Sequence, residues 1–235
     1  MIPKIIHYCW FGGAKYPDVV KKCLASWKKF CPDYELMLWN ESNYDVTLND
    51  YCKEAFENKK WAFVSDYARL DILYRFGGFY LDTDVELVKS LDGLRKLSCF
   101  VASDGTGINT GLGCGAEKNN PMIKEMKDLY SNKKFTVAGK CDMTPCTKMN
   151  SKIFIENGYK PNTTSIEVIK GVTILPYDFF SPIRGSQAEL KITPNTHGIH
   201  LGSRLWETGL TRLKAYFRIK LGVDRVHKIK KALHR

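Results

Sequence analysis

An apolar helical segment that runs directly into a short strand ending in two aspartates constrains the fold of this chain most. Apolar residues recur every three or four positions over 61–76, which predicts a helix. Gly77-Gly78 ends that helix, because glycine adopts the left-handed backbone that a helix end needs. The apolar run Phe79-Tyr80-Leu81 predicts a strand, and Asp82-Thr83-Asp84 follows it. The segment therefore predicts the helix-to-strand connection of an α/β sheet.

Similar patterns on both sides of this segment predict one α/β domain with a mostly parallel central sheet. The expected strands cover residues 4–10, 35–39, 79–81, 100–102 and 110–113, and the expected helices cover 17–30, 61–76 and 121–130. After about residue 135 the periodicity weakens, so we expect an irregular C-terminal part. We place the domain at residues 1–204 and a basic tail, expected to be helical, at 205–235.

The composition narrows the class of protein. A chain of 235 residues with 44% hydrophobic residues can bury a sizeable core, which excludes a disordered chain. No run of 18 apolar residues and no leader-like start occur, so we expect neither a spanning helix nor a secretory signal. None of the eight cysteines forms a Cys-x-x-Cys pair, which favours buried free thiols in a reducing cytosol. A metal site or a disulfide at Cys141 and Cys146 is the alternative.

The positive charge is concentrated at the C-terminal end. Residues 1–120 contain 15 Lys/Arg against 16 Asp/Glu, whereas residues 121–235 contain 21 against 9. The tail 205–235 has nine Lys/Arg and two acids, interleaved with apolar residues at helical spacing. Three interpretations remain open for it: a solvated basic helix, docking on an anionic membrane surface, or binding of nucleic acid.

The strongest chemical signal is the pair Asp82 and Asp84 at the end of a strand. Two carboxylates at that position can bind one hard divalent cation, and ligands of α/β sheets bind at the carboxyl ends of strands. Such a cation would neutralise a departing diphosphate. An acidic turn is the structural alternative. Asp66 and Arg69 lie one helical turn apart, which permits an ion pair that directs Arg69 to a phosphate or Asp66 to a sugar hydroxyl, or a plain surface salt bridge.

Other polar and aromatic residues have both a functional and a structural interpretation. Trp10, at the end of the first expected strand, is either a core residue or a platform for a nucleotide base. His197 and His200 face opposite sides of a strand, so only one should reach a site, and we favour His200. Asn109 could bind substrate hydroxyls or form a turn. The chain has no Gly-x-Gly-x-x-Gly turn or phosphate-binding lysine loop, so a nucleotide would be held by a metal and side chains.

Three segments resemble one family of enzymes. Residues 63–84, FVSDYARLDILYRFGGFYLDTD, are similar to the signature of the Asp-x-Asp sugar-binding glycosyltransferases of family 32. The opening IPKIIHYCWFG at 2–12 resembles their first strand, and GIHLGSRLW at 198–206 resembles their closing segment.

The resemblance implies a GT-A fold and a set of site residues. It implies a nucleotide-diphosphate sugar donor, UDP- or GDP-linked, a divalent ion, Mn²⁺ or Mg²⁺, and transfer with retention. Asp66, Arg69, Asp82 and Asp84 would be catalytic, and Asp82, Asp84 and His200 would be the metal ligands. The residues expected to bind the donor are Trp10, His7, Ser65, Asp66, Arg69, Asp82, Asn109, Ser203 and Trp206. Relatives often place Ser and Trp side by side, whereas two residues separate Ser203 from Trp206 here.

The expected function is therefore a metal-dependent, retaining glycosyltransferase. It would move a hexose or N-acetylhexosamine to a hydroxyl of a glycan or lipid-linked acceptor, in capsular or lipopolysaccharide synthesis. We expect it in the cytoplasm, peripheral at the inner face of the cell membrane. The alternatives are a nucleotidyl- or phosphotransferase that uses Asp82 and Asp84 as a two-metal pair, and a non-catalytic basic nucleic-acid binding module.

Overall fold

A computed structural model of the chain describes residues 1–184 and 189–203. Trp206 and the predicted basic tail 205–235 lie outside the described residues. Thirteen short strands are described, and these are β1 (Ile5–Cys9), β2 (Glu35–Trp39), β3 (Gly78–Tyr80), β4 (Val85–Leu87), β5 (Cys99–Ala102), β6 (Cys114–Ala116), β7 (Thr136–Val137), β8 (Lys140–Cys141), β9 (Glu167–Ile169), β10 (Val172–Leu175), β11 (Ile183–Arg184), β12 (Glu189–Leu190) and β13 (Gly198–His200). The described helices are α1 (Asp18–Phe30), α2 (Asp50–Glu57), α3 (Trp61–Phe76), α4 (Pro121–Asp128) and α5 (Cys146–Ile155).

Seven strands form the central sheet, in the order β2-β1-β3-β6-β5-β10-β9. The pairs β1–β2, β1–β3 and β5–β10 are parallel, while β6 and β9 are antiparallel to their neighbours. Five of the seven strands therefore point in one direction, which confirms the predicted α/β class with a mostly parallel sheet. The carboxyl ends of β1, β2 and β3 meet at one edge.

Helix α3 is the central helix of the fold and is buried nearly all round. Every residue from Phe63 to Leu73 is buried, including the charged Asp66, Arg69 and Asp71. Its end is the one predicted, because Gly77 has a φ of 68° and donates its N–H to the Leu73 carbonyl. Since buried charges must be paired, a helix of this composition has to place its ion pairs inside the domain.

Two predicted features differ in the structure. Residues 110–113 form a turn, with the Leu112 N–H donating to the Asn109 carbonyl, and the strand begins only at Cys114. The part after residue 135 is more regular than expected, because α5 and β10 pack into the domain and β10 extends the central sheet.

The last described strand, β13, pairs with β4 in an antiparallel two-stranded sheet. His200 lies opposite Val85, and the Leu201 N–H donates to the Asp84 carbonyl. The end of the described chain is therefore held against the residues that follow β3.

All eight cysteines are free, and seven of them are buried, which confirms the predicted free thiols. Within the described ranges, no helix has the length and apolar character that crossing a membrane requires.

Candidate active site

The predicted site residues gather at the edge where β1, β2 and β3 end. Trp10 follows β1, Asn40 follows β2, and Asp82 comes two residues after β3. Parallel register places His7 of β1 opposite Tyr80 of β3, so the residues after each strand are close neighbours. This is the edge at which open α/β sheets bind ligands.

Arg69 joins helix α3 to the aspartates of this edge. Its guanidinium is 3% exposed and carries five N–H donors. Six protein acceptors lie within reach of them: the Ser65 carbonyl (3.0 Å), Ser65 Oγ (3.2 Å), Asp66 Oδ1 (3.1 Å), Asp82 Oδ1 (3.2 Å), Thr110 Oγ1 (3.4 Å) and Cys146 Sγ (3.6 Å). Arg69 thus has no N–H left for a phosphate, and the geometry makes it a positioning residue for Asp66 and Asp82.

Asp82 is held from two sides and keeps part of its carboxylate exposed. Its N–H donates to the Gly111 carbonyl at 2.8 Å, and its side chain is 32% exposed beside Arg69. A Cβ at position 111 would overlap Asp82 Oδ2 and would lie 3.1 Å from Arg69. Only glycine at 111 therefore allows this placement of the Asp82 carboxylate.

Asp84 is buried and is held by the segment that follows β13. Its Oδ2 accepts hydrogen bonds from the Ser203 N–H at 2.8 Å and from Ser203 Oγ at 2.7 Å, and its Oδ1 lies 3.4 Å from His200 Nε2. Burial alone would raise the pKa of Asp84, but His200 and the Ser203 hydrogen bonds together hold that pKa well below its usual range. Burial would lower the pKa of His200, yet Asp84 beside it raises that pKa. Both shifts favour an ionised Asp84 carboxylate beside a protonated His200 imidazole.

Asp66 is the most desolvated carboxylate of the site. Burial raises its pKa to about 6, against the opposing effect of Arg69. The thiol of Cys146, at the start of α5, also hydrogen-bonds to the Asp66 carboxylate. Asp66 is consequently a carboxylate near its protonation point, the condition under which such groups often act on substrates.

Trp10 lines an open cavity of about 450 Å³ at the carboxyl ends of β1 and β2. The indole is half-buried, donates its Nε1–H to the Ala14 carbonyl at 2.6 Å and meets Tyr16 edge-on. The lining residues are Trp10, Gly13, Ala14, Tyr16, Asn40, Glu41 and Ser42. This volume is in the range of small-molecule sites.

His7 is not a donor-binding residue, and that prediction is corrected. It is fully buried between Trp39 and Phe76. Its Nδ1 accepts from Trp39 Nε1–H at 3.1 Å, so Nε2 carries the proton and donates to the Gly77 carbonyl at 2.8 Å. Both ring nitrogens are therefore occupied inside the fold.

The side chains of Ser65 and Asn109 also form hydrogen bonds with main-chain groups. Ser65 Oγ donates to the Ala62 carbonyl and accepts from Arg69, so it supports the helix and the arginine. Asn109 Oδ1 accepts from the Gly111 N–H at 3.0 Å, which is the turn interpretation. His197 packs against Phe179 and Phe180 with its Nδ1 on the Asn195 carbonyl, so of the two histidines His200 is the one at the aspartates.

Four residues of the site escaped the sequence analysis: Thr110, Gly111, Cys146 and Asn150. Thr110 and Asn150 are fully buried, and Asn150 Nδ2 lies 3.1 Å from the Thr110 Oγ1 that also meets Arg69. Asn150 Oδ1 has no partner among the described residues. No spacing rule connects α5 to Arg69, and residues 110–113 were expected to form a strand and not the turn that meets Asp82.

The donor set of the aspartates fits a divalent cation. The described residues contain no ready-made cluster of three metal-ligating side chains. Small hard cations, however, are commonly bound by one or two carboxylates together with substrate phosphates. Asp82 and Asp84 supply those carboxylates. His200 lies against the Asp84 carboxylate, and the assignment of His200 as a third metal ligand stays a prediction.

The mixed α/β fold with its mostly parallel sheet is similar to that of a solved glycosyltransferase. The sequence model described as glycosyltransferase sugar-binding region containing DXD motif matches residues 17–101, which include Asp66, Arg69, Asp82 and Asp84. The solved structure named PaToxG Glycosyltransferase superposes with a TM-score of 0.51 at 19% identity, over 66% of this chain and 68% of that one. The matched model is that of the family which the resemblance predicted, and it covers residues 17–101 of this chain.

Sequence relatives in two yeasts are similar to this chain over more residues than the 17–101 that the sequence model matches. Inositol phosphoceramide mannosyltransferase 3 of Schizosaccharomyces pombe is 31% identical over 138 residues, covering 53% of this chain and 36% of the relative. Mannosyl phosphorylinositol ceramide synthase SUR1 of Saccharomyces cerevisiae is 25% identical over 201 residues, covering 81% of this chain and 52% of the relative. The chain thus spans about a third to a half of the length of these relatives. The phosphotransferase and nucleic-acid alternatives have no counterpart among the proteins named here.

Proposed function

We propose that the protein transfers a hexose from a nucleotide-diphosphate sugar to a hydroxyl of a lipid-linked acceptor. The observation that carries the proposal is the placement of Asp82 and Asp84 after β3, where Arg69 holds Asp82 and Ser203 and His200 hold Asp84. The match of residues 17–101 to the sugar-binding family model supports sugar transfer in general. The two yeast relatives are named for mannosyl transfer to an inositol phosphoceramide, so a mannosyl donor and a sphingolipid-like acceptor replace the expected capsule or lipopolysaccharide.

Different residues of the site would bind the donor's diphosphate and assist its departure. Asp82 and Asp84 would hold a divalent ion, Mn²⁺ or Mg²⁺, which when bound supplies charge neutralisation for the departing diphosphate. Ser203 keeps Asp84 ionised and oriented through two hydrogen bonds. His200 Nε2 lies 3.4 Å from Asp84 Oδ1, and in its protonated form the imidazole would add positive charge close to the same place. The chain thereby places preorganised charges where negative charge develops.

The sugar would lie between the aspartates of α3 and β3. Asp66, near its protonation point, can accept a hydrogen bond from a sugar hydroxyl, and Arg69 fixes its carboxylate from the opposite direction. Transfer would then proceed with retention at the anomeric carbon, as the family resemblance implies. Catalysis would rest on positioning and electrostatics, because no activated nucleophile contacts the site among the described residues.

The test is release of nucleoside diphosphate from UDP- and GDP-sugars with Mn²⁺ or with chelator, in the presence of detergent-dispersed inositol phosphoceramide. Wild type should release one diphosphate in a metal-dependent reaction, with a hexose added to the lipid. Asp84→Ala should lose this turnover. Asp18→Ala removes an acid whose side chain is 99% exposed on α1 and should behave as wild type. A folded Asp84→Ala protein with full turnover would overturn the proposal.

A further inference from the structure

The side chain of Asn150, on helix α5, reaches the turn that places Asp82. Its Nδ2 donates a hydrogen bond to Thr110 Oγ1 at 3.1 Å. Thr110 is followed by Gly111, whose carbonyl accepts from the Asp82 N–H at 2.8 Å. Asn150 and Thr110 are both fully buried. A polar contact inside the protein therefore lies directly behind one of the two aspartates that would hold a metal ion.

The Thr110 hydroxyl connects α5 to the arginine that holds both acids of the site. Arg69 Nη1 donates to Thr110 Oγ1 at 3.4 Å. A hydroxyl oxygen has two lone pairs, and the donors of Arg69 and Asn150 occupy both of them. Arg69 Nη2 in turn lies 3.1 Å from Asp66 Oδ1 and 3.2 Å from Asp82 Oδ1. The contacts therefore run from the amide through the hydroxyl and the guanidinium to the two carboxylates.

The amide of Asn150 is unfavourable for stability at its position. Its Oδ1 is buried and has no hydrogen-bond partner in the described part of the chain. An unpaired buried acceptor destabilises the folded state, and a leucine of nearly the same shape would remove that penalty. A buried polar atom without a partner calls for an explanation, and a role in the neighbouring site supplies one.

From these contacts we propose that Asn150 is a positioning residue for sugar transfer and acts through the Thr110 hydroxyl on Arg69; the inference rests on the proposed function. The Nδ2 donor fixes the direction of the Thr110 oxygen. The fixed oxygen gives the guanidinium an acceptor on the side away from the two carboxylates. The guanidinium then holds Asp66 and Asp82 in constant positions, on which the rate of transfer depends.

The test compares Asn150→Leu with wild type in urea denaturation of the metal-free chain and in nucleoside diphosphate release. The free energy of unfolding of the variant should equal or exceed that of wild type, because the unpaired oxygen is gone. Its kcat should fall about tenfold, whereas the KM for the nucleotide sugar should change less than about twofold, because no group that contacts the donor is removed. Asn157→Leu makes the same change at an exposed position two residues after α5 and should keep the turnover of wild type.

Two variants of Thr110 test whether Asn150 acts through the hydroxyl. Thr110→Ser keeps the hydroxyl and should keep the turnover, whereas Thr110→Val removes it at nearly the same shape and should lower kcat about tenfold. Thr110→Val leaves the Asn150 Nδ2 donor unpaired, so its free energy of unfolding should fall. Adding Asn150→Leu to Thr110→Val should restore that stability without restoring the turnover or lowering it further.

Four results would overturn the inference and leave the proposed transferase intact. The first is a normal kcat in Asn150→Leu, and the second is a lower free energy of unfolding in that variant, which would make the amide a structural contact. The third is a double variant whose two losses of turnover multiply, because Asn150 would then act by another route. The fourth is a Thr110→Ser protein as slow as Thr110→Val, which would assign the effect to the methyl group. Absence of diphosphate release by wild type would overturn the proposed function and the inference with it.

Discussion

Arg69 shows why the charged residues of α3 are inside the protein. Its side chain pairs with Asp66 on the same helix and with Asp82 after β3, while its face lies 4.9 Å from the ring centre of Tyr80. Removing one partner of a buried pair leaves an uncompensated charge, so the pairing constrains both carboxylates together. A single arginine thereby sets the geometry of the two acids that face the substrate.

His7 provides a pH-dependent contribution to stability that is separate from the site. Burial lowers the pKa of His7 to about 4, whereas a histidine in an unfolded chain titrates near 6.5. Between these two pKa values the unfolded chain binds a proton at His7 and the folded protein does not. The free energy of unfolding therefore falls as the pH falls from about 6.5 toward 4. Between pH 7 and pH 4.5 this loss amounts to about 2 kcal/mol.

Urea denaturation at the two pH values, on wild type and His7→Gln, measures this contribution by difference. Asp66 acts with the opposite sign, because its raised pKa adds stability as the pH falls through about 6. Since Asp66 is present in both proteins, its effect cancels in the comparison. Between pH 7 and pH 4.5 the free energy of unfolding of wild type should fall by about 2 kcal/mol more than that of the variant. Equal losses would mean that His7 is protonated in the folded protein.

The turn between β5 and β6 is the element that controls Asp82. Asn109 Oδ1 caps the Gly111 N–H, and the Gly111 carbonyl accepts from the Asp82 N–H. Gly111→Ala would push a methyl group into the Asp82 carboxylate and toward Arg69. Because a displacement of about 1 Å can reduce turnover about a hundredfold, we expect a loss of that order with the fold retained.

The measurement is nucleoside diphosphate release together with a thermal melt. Gly93→Ala is the matched control, since a Cβ at that position meets no atom within 4 Å. It should keep the turnover of wild type. A Gly111→Ala protein that also turns over normally would show that the exact place of the Asp82 carboxylate is unimportant.

Local patterns predicted the elements near the aspartates, because α3, Gly77 and β3 follow from periodicity and from the conformation of glycine. The contacts of Ser203 with Asp84 span 119 residues of sequence and depend on the pairing of β13 with β4. His200 was placed at the site through the family resemblance and the alternation of a strand. His7 was misassigned because the resemblance of its segment does not show whether a polar side chain in a strand finds partners inside the core. Cys146 and Asn150 reach Arg69 from α5, an element that the weak periodicity after residue 135 did not predict.

The distribution of charge over the chain leads to a prediction about membranes. Residues 1–120 are nearly neutral, whereas residues 205–235 carry nine Lys/Arg against two acids. Basic segments gain about 1 kcal/mol per Lys or Arg near an anionic surface, and the proposed inositol phosphoceramide acceptor would lie in a membrane. We therefore expect the full chain to bind vesicles that contain phosphatidylserine and not to bind vesicles of phosphatidylcholine alone.

Co-sedimentation with both kinds of vesicle tests this expectation. Neutralising four cations of the tail to glutamine should weaken binding at least about tenfold, and raising the salt should weaken the wild type in the same way. The four tail positions are Lys228, Lys230, Lys231 and Arg235. The control changes four exposed lysines of the domain to glutamine, namely Lys21, Lys28, Lys53 and Lys118. Since both variants lose the same net charge, a greater loss in the tail variant assigns the membrane contact to residues 205–235, and an equal loss would make it a property of net charge alone.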